Sequence, residues 1–311
     1  MEKTSNLQPI FFAGPTAVGK SAVALALAEK IGGEIISVDS MQVYRGLDIG
    51  TAKPTAAERA RVPHHLIDVC DLREAFDAAQ FVRLAHKAVE EIQSRGRTPI
   101  FCGGTGLYFK AFLEGLGEAP PTDEKLRAEL AGTPLEKLLE ELCGRDPMTF
   151  EKIDRQNPRR VVRAVEVIRL TGKKFSEQRA AWAIQNSKLK IQNYFCLTRA
   201  SDDLHRRINT RVDEIFAHGL VDETRELLKR GLAENKFALQ AIGYRQVVQH
   251  LRGERGLAET IELVKIRTRH FAKRQLTWFR RHGNGEWMEL PPAEPETECV
   301  TRILRKTRQT S

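Results

Sequence analysis

The run Gly14-Pro15-Thr16-Ala17-Val18-Gly19-Lys20-Ser21 matches G-x-x-x-x-G-K-[ST] at every fixed position. The chemistry of that pattern is phosphate binding: glycines let backbone N–H groups curl round phosphate oxygens, a lysine neutralises charge and a hydroxyl can reach Mg²⁺. An apolar run, "PIFFAG", precedes it and a helical stretch through Leu27 follows, so the loop should open a helix whose N-terminus adds positive potential. The spelling identifies phosphates, not the molecule that carries them.

Two further chemical groups stand at the ends of expected strands. "EIISV" ends on Asp39, and "TPIFC", read as the third strand, ends in Gly103-Gly104-Thr105-Gly106. Ligands of open α/β sheets sit beyond the carboxyl ends of the strands, so Asp39 and Thr105 should face the phosphate crevice. An aspartate there could hold Mg²⁺ through water or act as a general base. Five cysteines, Cys70, Cys102, Cys143, Cys196 and Cys299, never form a C-x-x-C pair, which argues against a zinc knuckle or a disulfide scaffold.

The elements that must position these groups follow from the patterning of 311 residues. Apolar runs alternate with helical stretches over the first 112 or so residues, which predicts parallel strands joined by right-handed crossovers. From about Glu114 the periodicity is helical throughout, and strand character returns in "NYFCLTRA". The expectation is an α/β class: a P-loop parallel-sheet core of residues 1–113 and 193–311, with an all-helical insert of residues 114–192. Helical patterns should then run over residues 202–217, 221–230 and 259–281, followed by the short run "EWMEL" and a polar tail.

Lysine plus arginine total 50 against 41 acidic residues, a net charge of +9. The excess is clustered: residues 263–281 hold seven basic side chains and no acid, the footprint of a polyanionic partner. The N-terminus has no signal pattern and no segment approaches a membrane span, so a cytoplasmic protein with no membrane partner is expected; a monomer is expected as well, though no sequence feature speaks to it.

The blocks "GPTAVGKS", "DSMQVYRGLDIGTAKP", "PHHLID", "GGTGLYFKA", "NPRRVVRAVEV", "AIGYRQ" and "KRQLTWFRR", in this order, resemble the bacterial tRNA dimethylallyltransferases, also called tRNA isopentenyltransferases. The resemblance spans residues 9–281, and its second and fourth blocks are specific to that family. It implies transfer of a dimethylallyl group from dimethylallyl diphosphate to the N6 amine of the adenosine immediately 3′ of the tRNA anticodon, with Mg²⁺ as cofactor.

The loop, residues 14–21, then becomes the clamp on a departing diphosphate, with Ser21 toward the metal. Asp39 becomes the general base, with Thr105 bonding nearby, and Arg211 a second contact to the diphosphate. In "DLHRRINTRVDEIF", Ile208, Val212, Ile215 and Phe216 form a core-facing stripe while Arg207 and Arg211 share another face; no role is assigned to Arg207. The resemblance also implies contact between the anticodon stem-loop and Asp39-Ser40-Met41-Gln42, Thr105, Arg127 and Arg159-Arg160-Val161-Val162-Arg163. Two later segments join them, Gln240-Ala241-Ile242-Gly243-Tyr244-Arg245 and Lys273-Arg274-Gln275-Leu276-Thr277-Trp278-Phe279-Arg280.

Asn157 is expected as the N-cap before Pro158, Trp278 and Phe279 as core residues, and His64 and His65 as packed or capping residues. A P-loop kinase of a small metabolite, with Asp39 activating a hydroxyl, is the rival reading. An RNA-binding NTPase is a third.

Overall fold

A computed structural model describes residues 8–115, 120, 122–177, 193–292 and 294–309. Short apolar runs form a six-stranded sheet: β1 (Ile10–Ala13), β2 (Glu34–Val38), β3 (His64–His65), β4 (Pro99–Gly103), β5 (Tyr194–Thr198) and β6 (Glu286–Glu289). Their order is β3-β2-β4-β1-β5-β6, and every neighbouring pair is parallel. All residues of β1, β2 and β4 are buried, which is why these strands read as continuous apolar runs rather than alternating ones.

Thirteen helices accompany the sheet among the described residues. The first four are α1 (Lys20–Ile31), α2 (Ala56–Arg61), α3 (Ala78–Ser94) and α4 (Gly106–Glu114). Next come α5 (Glu124–Gly132), α6 (Leu135–Arg145), α7 (Pro147–Lys152) and α8 (Pro158–Thr171). The series continues with α9 (Ser201–Ala217), α10 (Leu220–Lys229), α11 (Tyr244–Leu251), α12 (Leu257–His282) and α13 (Glu296–Gln309).

Backbone contacts divide the chain into two units, Met1–Lys110 with Ile191–Ser311, and Ala111–Lys190. The larger unit has two apolar clusters. One joins the sheet to α1, α9 and α13 through residues such as Phe12, Leu27, Phe195, Ile208 and Ile303; the other gathers Val43, Tyr44, Leu47, Leu220, Leu227 and Tyr244. In the smaller unit, Leu130, Leu138, Leu142, Val161, Ala164, Val165 and Ile168 are buried together. That stripe fits the helical spacing of "VVRAVEVI".

Two local expectations are corrected. Between β2 and "TPIFC" lies the two-residue strand β3, so the Gly103-ending strand is the fourth, not the third. The expected polar tail contains α13, whose Cys299, Val300 and Ile303 are buried at helical spacing against α1. Asn157 does stand at the N-cap of α8, but its side chain makes no capping bond.

At the amino end of β2 the buried Glu34 carboxylate takes His65 Nε2 at 2.6 Å, Arg95 at 2.8 Å and Arg97 at 3.2 Å. Burial alone would raise the Glu34 pKa, but the bonds from Arg95 and His65 outweigh it and hold the carboxyl below its ordinary range. His64 Nδ1 lies 2.7 Å from the Val62 carbonyl. Both histidines of "PHHLID" therefore brace the edge of the sheet.

Candidate active site

A cavity of about 1270 Å³ opens at the carboxyl ends of the strands. β1 runs into the loop, β2 into Asp39 and β4 into Gly104 and Thr105. Gly14 has φ +146°, and a Cβ there would lie 2.5 Å from the Leu197 carbonyl oxygen of β5, so only glycine lets the loop leave the sheet here. Ala17, at φ +63°, takes the left-handed conformation inside the loop, a strain typical of ligand-holding turns.

Lys20 is buried and its Nζ donates to the loop's own Pro15 carbonyl at 2.6 Å. Burial pushes its pKa down to about 8, with the positive charge of Arg211 adding to the effect and Asp39 opposing it. The ammonium is thus already stripped of water, and an incoming polyanion would restore its compensation. Anion affinity should therefore fall as pH rises through about 8, because above that value the amine must first take up a proton. Calorimetric titration of inorganic diphosphate from pH 7 to 9 checks this, and Lys20→Met should flatten the dependence.

Asp39 follows β2 directly and its Oδ1 accepts the backbone N–H of Met41 at 2.8 Å and of Gln42 at 3.4 Å. Among the described residues nothing bonds Oδ2. Thr105 Oγ1 accepts the Ser40 N–H at 3.1 Å, and the Thr105 N–H donates to the Val38 carbonyl at 3.1 Å. Thr105 thus ties the ends of β2 and β4 together beneath Asp39. Thr105 itself, expected to face the crevice, is not among the residues that line the cavity; Cys102 is, and burial pushes its thiol up to about 11, so it is no thiolate nucleophile near neutrality.

The face of α9 that lines the cavity carries Arg206, Arg207, Thr210 and Arg211. Burial lowers the Arg211 pKa, opposed by the Asp39 charge. Ile208, Val212, Ile215 and Phe216 pack on the apolar side of the same helix. Arg207 Nε donates to the Ala17 carbonyl at 3.0 Å, which supplies the role its sequence left open: it braces the loop. Arg199 does the same from the end of β5, donating to the Val18 carbonyl at 2.7 Å and pairing with Asp203 at 3.0 Å. Sequence reasoning missed Arg199, although it is the first residue after a strand, where the same carboxyl-end logic applies.

From α12, Gln275 accepts the Thr16 N–H at 2.9 Å and donates to the Gly104 carbonyl at 2.9 Å. One buried amide thereby spans the phosphate loop and the β4 loop. The far wall is residues 48–56, where Lys53 Nζ reaches the Tyr44 carbonyl at 2.6 Å, Asp48 at 2.7 Å and Asp68 at 2.5 Å. Gln42 Nε2 bonds the Thr51 carbonyl at 3.2 Å, so the segment after Asp39 holds this wall too. Lys53 belongs to the block "DSMQVYRGLDIGTAKP", whose sequence gave no hint of this bracing role.

The remaining candidate residues divide by exposure. Val161, Ala241, Tyr244, Gln275 and Phe279 are buried, whereas Arg159, Arg160, Arg245, Lys273, Arg274, Thr277 and Arg280 are exposed. Phe279 packs edge-on against Phe109 and Trp278. Arg127 and Arg163 both reach the fully buried Glu166, at 3.4 and 2.7 Å. Leu276, Val162, Ile242 and Trp278 are half-buried, and Gln240 begins no long helix but ends a single 3₁₀ turn.

Residues 42–282 match the model of a protein family described as IPP transferase. A tRNA dimethylallyltransferase 1 of Trichlorobacter lovleyi is 46% identical over 286 residues, covering 91% of this chain and 93% of that one. A tRNA dimethylallyltransferase of Levilactobacillus brevis is 46% identical over 284 residues, covering 89% and 90%. Among solved structures, a full-length tRNA isopentenylpyrophosphate transferase of Bacillus halodurans superposes with a TM-score of 0.70 at 39% identity, covering 97% of each chain. A eukaryotic dimethylallyltransferase acting on tRNA gives 0.74 at 29% identity, covering 97% of this chain and 77% of that one.

Proposed function

The chain belongs to the IPP transferase family, and from that premise we propose that it transfers a dimethylallyl group from dimethylallyl diphosphate to tRNA, on the N6 amine of the adenosine immediately 3′ of the anticodon. The observation that carries the reading at this site is the convergence of Lys20, Arg211 and Asp39 on one cavity at the phosphate loop. The names of the relatives speak for a prenyl transferase, and none of them for the metabolite kinase that the loop alone would also allow.

The reaction forms a bond from N6 to the allylic C1 and breaks the bond from C1 to the diphosphate oxygen. The electron pair of that bond leaves with the diphosphate, where Lys20, Arg211 and the loop amides meet the growing charge. The N6 proton passes to Oδ2 of Asp39, the oxygen left open by the two amides held on Oδ1. Arg199, Arg207 and Gln275 keep the loop in shape without taking part in the proton transfer.

Among the described residues no cluster of three or more His, Cys, Asp or Glu could hold a metal by itself. Mg²⁺ commonly binds through one or two protein oxygens plus substrate phosphates, and the exposed Ser21 hydroxyl on this cavity suits that mode. Ser21 would hold the ion, which supplies charge neutralisation on the leaving group.

The tRNA would meet the exposed basic residues of α8 and α12. Arg159→Ala or Lys273→Ala is expected to weaken tRNA binding and reduce the salt slope by roughly one for each phosphate that the variant no longer neutralises. A slope unchanged from that of the parent chain would remove that residue from the interface. No helix among the described residues is long and apolar enough to cross a membrane.

The function itself is tested by incubating the chain with isotopically labelled dimethylallyl diphosphate, Mg²⁺ and total tRNA, with no nucleoside triphosphate present. Label should enter tRNA. ATP consumption without labelling would favour the kinase or NTPase reading instead.

A further inference from the structure

The cavity wall after Asp48 is irregular backbone, with Ala52 at φ +46°. Within it the Ala52 and Lys53 amides bond back to the Ile49 and Asp48 carbonyls at 3.0 and 3.1 Å, but the turn leaves the two amides at its start to find partners elsewhere. Its first two amides find the same one: Glu223 of α10 accepts the Ile49 N–H at 2.9 Å and the Gly50 N–H at 3.4 Å. Tyr244, the first residue of α11, completes the arrangement. Its hydroxyl donates to Glu223 Oε1 at 2.5 Å and accepts from the Gly50 N–H at 3.0 Å.

The ring matters as well as the hydroxyl. A Cβ on Gly50 would stand 2.4 Å from the Tyr244 ring, so the backbone lies flat on that ring and residue 50 has to be glycine. The ring is itself fully buried in the cluster of Tyr44, Leu47 and Leu220, and the contact therefore rests on a packed base. Burial and the Glu223 charge both push the Tyr244 phenol above its ordinary range, which keeps it a hydrogen-bond donor.

We infer that Glu223 and Tyr244 are positioning residues: they fix the Ile49–Gly50 backbone and, through it, the wall formed by Ile49, Thr51 and Ala52 against which the donor and the extruded base are held. Neither touches a substrate. This rests on the transfer reaction proposed above, and it moves Tyr244 from the RNA surface, where the resemblance puts it, to the support of the catalytic cavity. Carboxylate-to-amide bonds of this kind are charge-assisted and stronger than neutral ones, and half-buried Glu223 spends its charge on two amides of the wall rather than on a cation.

Tyr244→Phe keeps the ring on Gly50 and deletes the hydroxyl; Glu223→Gln keeps the shape and deletes the charge. For both, kcat, the KM for dimethylallyl diphosphate, the tRNA dissociation constant and amide exchange over residues 47–53 are measured. Exchange at Ile49 and Gly50 should quicken, and kcat should fall about tenfold to a hundredfold, the scale of a misplacement approaching 1 Å. The tRNA affinity should stay within about twofold. Glu223→Asp, which retains the charge, should recover part of the lost kcat.

Weakened tRNA binding at unchanged kcat would make Tyr244 an RNA contact and overturn the inference. A lower melting temperature with kcat and KM untouched would overturn it too, leaving the pair purely structural. If Glu223→Gln does not fold, Tyr244→Phe alone decides. A parent chain that labels no tRNA would defeat the proposed function; the inference is then judged by exchange at Ile49 and Gly50 together with inorganic diphosphate affinity, both altered in the variants if it holds and both unchanged if it does not.

Discussion

Asp39→Asn should bind tRNA as the parent chain does and transfer almost nothing, a loss on the order of 10²- to 10⁴-fold in kcat. Asparagine is the informative replacement because its Oδ1 can still accept the Met41 and Gln42 amides at 2.8 and 3.4 Å, so the turn after β2 survives. What disappears is a group that can take the N6 proton. Single-turnover kinetics with prebound tRNA isolate the chemical step from binding. Loss of tRNA affinity with an intact single-turnover rate would mean that Asp39 holds the RNA and that another group removes the proton.

Lys20→Ala carries the second large effect, about 10²- to 10³-fold in kcat, the scale for deleting one donor aimed at developing transition-state charge. The lysine is buried beside Arg211 and Asp39 in the same cavity. Before ligand arrives its ammonium is bonded to the Pro15 carbonyl, a contact that costs little to exchange for a diphosphate oxygen. The variant should also bind inorganic diphosphate more weakly and lose the pH dependence centred near 8. A full rate in Lys20→Ala would place the leaving group elsewhere in the cavity. Arg207→Ala gives a useful contrast, since it removes a brace on the Ala17 carbonyl and should cost far less.

The parts of this site that were legible in the sequence are those with a local signature. The loop has a fixed spelling, Asp39 stands at a strand end, and Arg211 shares a helix with an apolar stripe that fixes its face. The supporting residues have none. Gln275 meets Thr16 across 259 positions of chain, Arg199 meets Val18 across 181 and Glu223 meets Ile49 across 174; no local pattern pairs any of them with its partner until the fold closes.

Tyr244 stands in the segment "QAIGYRQ", which the resemblance assigns to tRNA contact, yet Gly243 at φ +99° starts α11 there and the ring is buried in the core. Strand β3 was too short, at two residues, to leave a periodic trace. Helix α13 left one, but charged residues outnumber its apolar ones and drew the reading to a tail.

In the proposed reaction the phosphate loop holds a diphosphate that leaves, not a triphosphate that is cleaved. The most direct measurement of this is a nucleotide-free reaction with labelled dimethylallyl diphosphate and tRNA, in which released diphosphate is counted and the labelled tRNA is digested and mapped by mass spectrometry. One diphosphate should be released for each label incorporated, with every label on the adenosine immediately 3′ of the anticodon. Labelling that requires ATP, or diphosphate released without any label on that adenosine, would contradict this reading.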